Sequence, residues 1–315
     1  MILCLRFSLF FVFTILIINT VYAELGQFSQ SLITPEESTC SGSNERDLSA
    51  RMGPTRNQGS TGWCFAYVAA DLMSYKLGAR VSAADTALSF YMQDPACLSF
   101  YRPAERLRGG WVAEAVTRSK RIGACLENNF RSDDVAYWAG EFPTQRNSLK
   151  ALSCDQNSAV RMLFPGLSKN SVDEIYRRTG LADNFISKLA NEACRPRIKT
   201  NTLQPVVYNN RLFAAPMFNR VDEQLRLNRP LGIAICAELL YNSNSRCTTQ
   251  NHAVTVIGKR YNKSSRECEY LIRNSWGADI CSDYDKKYSC NSRNGNVWIP
   301  KSILRRSMGH VTYIP

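Results

Sequence analysis

An apolar run from Phe7 to Ile18, with Arg6 before it and Val21-Tyr22-Ala23 after it, determines where the rest of this 315-residue chain has to fold. The run is shorter than the roughly 20 residues that a bilayer span needs, and Ala23 supplies the small residue of a cleavage site. Residues 1–23 therefore read as a removable secretory leader, and no later stretch is apolar enough to insert stably in a membrane. An exported chain meets an oxidising compartment, so its cysteines should pair. Of twelve cysteines, Cys4 lies in the leader, and the other eleven are Cys40, Cys64, Cys97, Cys125, Cys154, Cys194, Cys236, Cys247, Cys268, Cys281 and Cys290. Eleven is odd, so at least one is free or joined to another chain, and the count does not say which. No two have the C-x-x-C spacing and the only histidines are His252 and His310, so neither a metal site nor a cofactor is expected.

The remaining chain, about 290 residues, is long enough for one large domain or two lobes around a cleft. The full chain's net charge of +12, which falls to +11 when Arg6 goes with the leader, is spread thinly, without a basic block interleaved with aromatics. That pattern describes a soluble cationic surface and excludes nucleic acid as the expected partner. There is no internal repeat.

The stretch "QGSTGWCFA", Gln58 to Ala66, breaks the backbone at Gly59 and Gly62 and then opens a helix. Phe65, Ala69, Leu72 and Met73 recur at three- and four-residue intervals, and Gly78 suits the end. Cys64 thus falls in the first turn, where unsatisfied N–H groups and the positive end of the helix dipole favour a thiolate. A nucleophile needs a base. His252 opens "HAVTVIGKR", which reads as a buried strand and would hold an imidazole on fixed backbone. His310, near the terminus among polar neighbours, reads as an ordinary surface or strand residue. In "LIRNSWG" a strand leads to Asn274, whose amide oxygen is suited to orient the far ring nitrogen of His252, and to Trp276, an apolar cover for that bond. Cys, His and Asn together form a known variant of triad chemistry.

With these residues in place, "RNQGSTGWCFA", "RGGWVAEA", "NRPLGIAI", "NHAVTVIG", "LIRNSWG" and "NGNVWI" resemble, in order, the segments of the papain-like cysteine peptidases. The resemblance implies an α+β, two-lobed papain-like fold. A helical lobe would face an antiparallel β-barrel-like lobe across the active-site cleft. It makes Cys64 the nucleophile, His252 the acid/base, Asn274 the orienting residue and Gln58 an oxyanion donor. Gly109 and Gly110 would pair with an extended substrate backbone, Ala234 would stand near the main side-chain pocket, and Trp276 would cover the site. The implied molecule is an exported monomeric cysteine endopeptidase acting on proteins or peptides. Alternatives are an inactive binding or structural module on the same scaffold, and an acyl transferase using the same triad.

Several departures qualify the likeness. Thr61 stands where the family has a cysteine, and Leu107 lies near the place of its partner, so that bridge is missing at both ends. Trp63 and Phe65 replace a small residue and a tryptophan, changing the entrance near the thiol. His252 and Asn274 lie further from Cys64 than the roughly 130–150 residues usual in the family. The expected layout is a short extension over 24–45, a helical lobe over 46–142, a helical insertion over 143–200 and a β lobe over 201–315. Within the insertion, Ser171 and Glu174 form a capping box. It reads as a lid, a docking surface or a decorative insert pinned by Cys154 and Cys194. The segment before the helical lobe is too short for a conventional inhibitory propeptide, so a separate protein inhibitor is one route of restraint. By family analogy Cys247 would reach Cys281 or Cys290. Asn262 in "NKS" matches a glycosylation acceptor, and "DYDKKYSC" reads as a solvated loop.

Overall fold

The computed structural model describes residues 39–92, 109–133, 192–209 and 214–315. Most of the segment 143–200, including the capping box at Ser171 and Glu174, lies outside the described residues, as do Cys97, Leu107 and Cys154.

Three helices build one lobe: α1 (Cys64–Leu77), α2 (Ala83–Met92) and α3 (Val112–Ile122). In α1 every residue from Phe65 to Met73 is buried, so this helix is a core element on all sides and not an amphipathic cover. Each large side chain buried there contributes roughly 1.5–3 kcal/mol. Gly78 ends α1 in the left-handed conformation, φ 64°, that a terminal glycine accepts without a Cβ clash.

The second lobe is an antiparallel sheet: β1 (Arg46–Asp47), β2 (Val206–Asn209), β3 (Leu231–Ile235), β4 (His252–Asn262), β5 (Glu267–Arg273), β6 (Ser289–Cys290), β7 (Val297–Pro300) and β8 (His310–Tyr313). The strand order β2-β8-β3-β4-β5-β7-β6 is an open path, with β1 added on β4. Helix α4 (Ala214–Arg226) packs on its face, placing Met217, Phe218, Val221 and Leu225 in the β core. The interior thus divides into a helical cluster and a sheet cluster, the two-lobed α+β arrangement.

The chain ends cross between lobes. Cys40 precedes the span expected for the helical lobe and Leu48 and Met52 fall within it, yet all three sit in the sheet core, while Ile314, just after the last strand, sits in the helical core. Ala253, the second residue of β4, also belongs to the helical cluster, so β4 lies along the lobe boundary. Close approach of α1 to the sheet requires Gly232. A Cβ on it would stand 2.6 Å from Val68 Cγ1.

Four disulfides join Cys40–Cys268, Cys125–Cys194, Cys236–Cys247 and Cys281–Cys290. The expected bridge from Cys247 to Cys281 or Cys290 is not formed. Cys247 bonds Cys236, because the loop leaving β3 folds back on the end of that strand. Cys281 and Cys290 bond each other, because β6 returns beside the short turn Asp279–Ser282. Cys194 bonds Cys125, because residue 198 bridges Ala124 and brings the two segments side by side. Arg197 completes that junction with two 2.8 Å hydrogen bonds to the carboxylate of Asp85. No helix of the described residues is long and apolar enough to cross a membrane.

Candidate active site

Cys64 is the first residue of α1 and the free cysteine among the described residues. Trp63 precedes it as the N-cap. Its indole is buried in the helical core, and its carbonyl accepts from Ala66 N at 2.8 Å and Tyr67 N at 3.2 Å. The bulk at position 63 is therefore absorbed inward. Phe65 faces the chain at Gly110, where a Cβ would come within 2.7 Å of its ring. Gly109, at φ 84°, donates its N–H to Gly62 O at 2.9 Å. The two exposed glycines are thereby held against the loop that delivers the thiol.

Gln58 is buried and fixed at both ends of its amide. Its Nε2 donates to Thr61 O at 2.8 Å, and its Oε1 accepts from Ser275 Oγ at 2.5 Å. The hydroxyl of Thr61 in turn donates to Gln58 O at 2.6 Å. These reciprocal bonds close the Gln58–Thr61 turn where a cystine was missing. One amide hydrogen of Gln58 remains beyond the bond to Thr61.

His252 opens β4, opposite Ile235 of β3, and is 6% exposed. Its Nε2 lies 2.8 Å from Asn274 Oδ1. Asn274 follows β5 directly; its Nδ2 donates to Tyr284 Oη at 3.1 Å, and its Oδ1 also accepts from Ser275 N at 2.9 Å. With its nitrogen engaged by Tyr284, the amide must present oxygen to the ring, which makes His252 Nε2 the protonated nitrogen. Nδ1 is left as the basic one. Trp276 stacks on the imidazole at 4.7 Å between ring centroids, covering this pair. Ala234 and Ala253 are cross-strand partners on β3 and β4, the first partly open and the second buried. His310 lies on β8, half-buried, edge-on to the exposed ring of Trp111 at 5.2 Å.

Burial pushes the Cys64 thiol up, while backbone hydrogen bonds at Ala253, Phe65 and Cys64 itself pull it the other way. Burial also holds the His252 imidazole down at about 4, against the raising effect of the Asn274 bond. Each charge is thus costly when formed alone.

Other residues join the site that sequence reasoning missed. Asp71, on the buried helix α1, accepts from Arg56 Nη1 at 2.5 Å and Arg273 Nε at 2.9 Å, with Thr255 Oγ1 at 3.5 Å. Arg56 stands two residues before Gln58, Arg273 immediately before Asn274, and Thr255 three after His252. One carboxylate therefore ties the thiol's helix to the segments carrying the other three residues. A signal existed, since a lone aspartate in an otherwise apolar helix needs a partner. Tyr284 carried none, because its segment reads as a charged loop. The charges of that segment are indeed largely outside, but Tyr284 and Tyr288 are buried. Asn262, the glycosylation match, spends its amide on Glu269 Oε1 at 2.7 Å.

A thiol beside the mouth of a β strand, at the boundary of a helical lobe and an antiparallel sheet, defines the class of this molecule: a two-lobed α+β protein. No family model and no curated protein matches the chain. Solved structures to which it is similar include procathepsin L 3 of Tenebrio molitor larval midgut, at 11% identity over 86% of this chain and 69% of that one, TM-score 0.48. The ragweed pollen cysteine protease Amb a 11 in its proform is 13% identical over 90% and 66%, TM-score 0.48. The Carica candamarcensis cysteine protease CMS1MS2 in complex with E-64 is 14% identical over 86% and 97%, TM-score 0.48. At these identities the likeness concerns the course of the chain and not its chemistry.

Proposed function

We propose that this chain is an exported cysteine endopeptidase. The observation that carries the reading is the 2.8 Å contact of His252 Nε2 with Asn274 Oδ1 under Trp276. It leaves Nδ1 as the base on the strand whose next residue hydrogen-bonds the Cys64 sulfur. His252 Nδ1 takes the thiol proton, and the sulfur attacks the carbonyl carbon of a peptide bond, whose C=O electron pair moves onto oxygen. The backbone N–H of Cys64 and the remaining Nε2 hydrogen of Gln58 receive that oxyanion. One such donor is worth roughly 2.7–4 kcal/mol. When the C–N bond breaks, the imidazolium gives its proton to the leaving amine. Water then attacks the thioester, His252 takes its proton, and the carboxylic acid leaves with the thiol restored. Gly109 and Gly110 offer backbone to an extended substrate, and the Ala234–Ala253 pair lines a side-chain pocket. The four disulfides fit an oxidising compartment.

The test is incubation of the oxidised protein and a Cys64→Ala variant with a peptide library between pH 4 and 8. Cleavage by the parent and none by the folded variant is expected. Equal cleavage by both would overturn the reading.

A further inference from the structure

The loop between β3 and β4 is closed by the Cys236–Cys247 disulfide and docks on the turn that follows the short helix Lys301–Leu304. Two contacts fix the segments together. Cys236 N donates to Ser307 Oγ at 3.1 Å, and Arg306 Nη1 donates to Ser243 O at 2.6 Å. Where they meet, Asn244, Ser245, Arg246 and Arg306 line an open cavity of about 450 Å³. Sites for small molecules occupy roughly 300–1,000 Å³, so the space admits a small organic ligand and not only an ion.

The four lining side chains have donors to spare. Neither guanidinium has an ion pair with a carboxylate among the described residues, and Arg246 makes no side-chain hydrogen bond there. Asn244 Oδ1 accepts from Lys287 Nζ at 3.0 Å, which leaves the amide NH₂ as its free end. Ser245 is only 6% exposed, and its Oγ accepts from Cys247 N at 3.1 Å, which leaves the hydroxyl hydrogen unspent. A buried donor without an acceptor is costly, and a ligand oxygen removes that cost. Asp285, an acidic side chain that the loop contacts, is occupied by Ser243 N at 2.6 Å and Lys287 N at 2.9 Å. Its single charge stands against those of Arg246, Arg306 and Lys287, so the cavity is cationic.

We propose that this cavity binds the phosphate or sulfate ester of a small hydroxylated molecule such as a monosaccharide. The two guanidinium forks take the ester oxygens in charge-assisted pairs, for which the planar arginine head is suited. The Ser245 hydroxyl and the Asn244 amide add two further donors, which fits the several oxygens of a tetrahedral ester better than the two of a carboxylate. The lining holds no large apolar side chain, so the remaining volume takes a polar organic part. None of these residues takes part in the peptide chemistry proposed for Cys64 and His252, so the two readings stand or fall separately.

Isothermal titration calorimetry of the oxidised full chain at pH 7.4 in 50 mM NaCl tests this, with glucose 6-phosphate, glucose 6-sulfate, inorganic phosphate and glucose as probes. One saturable site for each ester and none for glucose is expected. A tighter phosphate ester identifies a phosphorylated source, and a tighter sulfate ester a sulfated one. Arg246→Gln and Arg306→Gln should each weaken the tighter ester by about tenfold or more, and Ser245→Ala by about threefold. Arg305→Gln, which changes an exposed arginine of the same turn outside the cavity lining, should stay within about twofold of the parent. Arg246 makes no side-chain hydrogen bond within the fold, so its variant keeps the test open if Arg306→Gln misfolds. Inorganic phosphate binding as tightly as the ester would reduce the cavity to an ion site and overturn the proposal. So would the absence of saturable binding by either ester up to 10 mM. A loss from Arg305→Gln as large as that from Arg246→Gln would also overturn it, since it would mark a diffuse cationic surface.

Discussion

Replacing Asp71 by Asn removes one charge from the centre of the molecule. Asp71 is 9% exposed in its side chain, and Arg56 and Arg273 are 2% exposed. Breaking a buried ion pair from one side costs roughly 3–5 kcal/mol, because the partner's charge is left without compensation. Two features soften the cost here. Arg56 keeps Glu127, whose Oε2 lies 3.1 Å from its Nε. Arg273 keeps the carbonyls of Gly53 at 3.1 Å and Pro54 at 2.6 Å. Neither removes the net positive charge that Asp71 balanced, and Arg80 adds to it, its own guanidinium disfavoured by burial and by Arg56 and Arg273. The lower end, about 3 kcal/mol, is therefore expected, which for a chain of this size is on the order of 6–12 °C in Tm. Urea unfolding at pH 7 with disulfides intact measures it. Thiol alkylation at 25 °C then reports whether the segments carrying Cys64 and His252 stay in register. The double variant Asp71→Leu with Arg273→Met should lose less than Asp71→Asn alone, since two apolar side chains leave no orphan charge between them. A loss under 1 kcal/mol for Asp71→Asn, or a double variant worse than the single, would refute the view of Asp71 as the charge that holds the lobes together.

Three further outcomes follow from the site. His252 has a native pKa near 4 against an ordinary 6.5, so between those values the unfolded chain binds a proton that the native one refuses. Stability should fall as pH drops through that window, by about 3 kcal/mol in all, and His252→Gln should flatten the slope in denaturant titrations at pH 4 and 7. Because burial pushes the Cys64 thiol up, His252→Gln should also slow its alkylation at pH 6 by about 100-fold or more, with the rate then rising tenfold per pH unit toward pH 9. A variant that alkylates as fast as the parent at pH 6 would contradict the role given to the imidazole. Ser275→Ala frees the oxygen end of the Gln58 amide and should lower kcat by roughly tenfold with KM little changed. An unchanged kcat would show that Thr61 alone suffices to aim Gln58.

The parts of this protein that were legible in its sequence are those that local rules govern. Cys64 opens a helix because Gly59 and Gly62 break the chain before an apolar repeat that Gly78 ends, and each of those effects acts over a few residues. Strand β4 beginning at His252, and Asn274 emerging from β5, were readable for the same reason. The relation between them was less so. It depends on a pairing register in which a β-bulge between Val256 and Gly258 shifts every later partner of β4 by one. The disulfide partner of Cys247 was misjudged because connectivity follows from which loops fold back, and spacing does not encode that. Tyr284 and Ser275 were invisible as site residues, and Asp71 showed only that it needed a partner, since their partners lie 10, 217 and 202 positions away and only the folded chain brings them within hydrogen-bonding range. The sequence by itself determined which residues are candidates for the chemistry, through their types and their local backbone. The tertiary structure alone decided how they are held: a buried carboxylate binding two arginines, a hydroxyl aiming a glutamine, and a tyrosine turning an amide. Such contacts are fixed by packing two lobes against each other, and no short-range pattern in the chain records them.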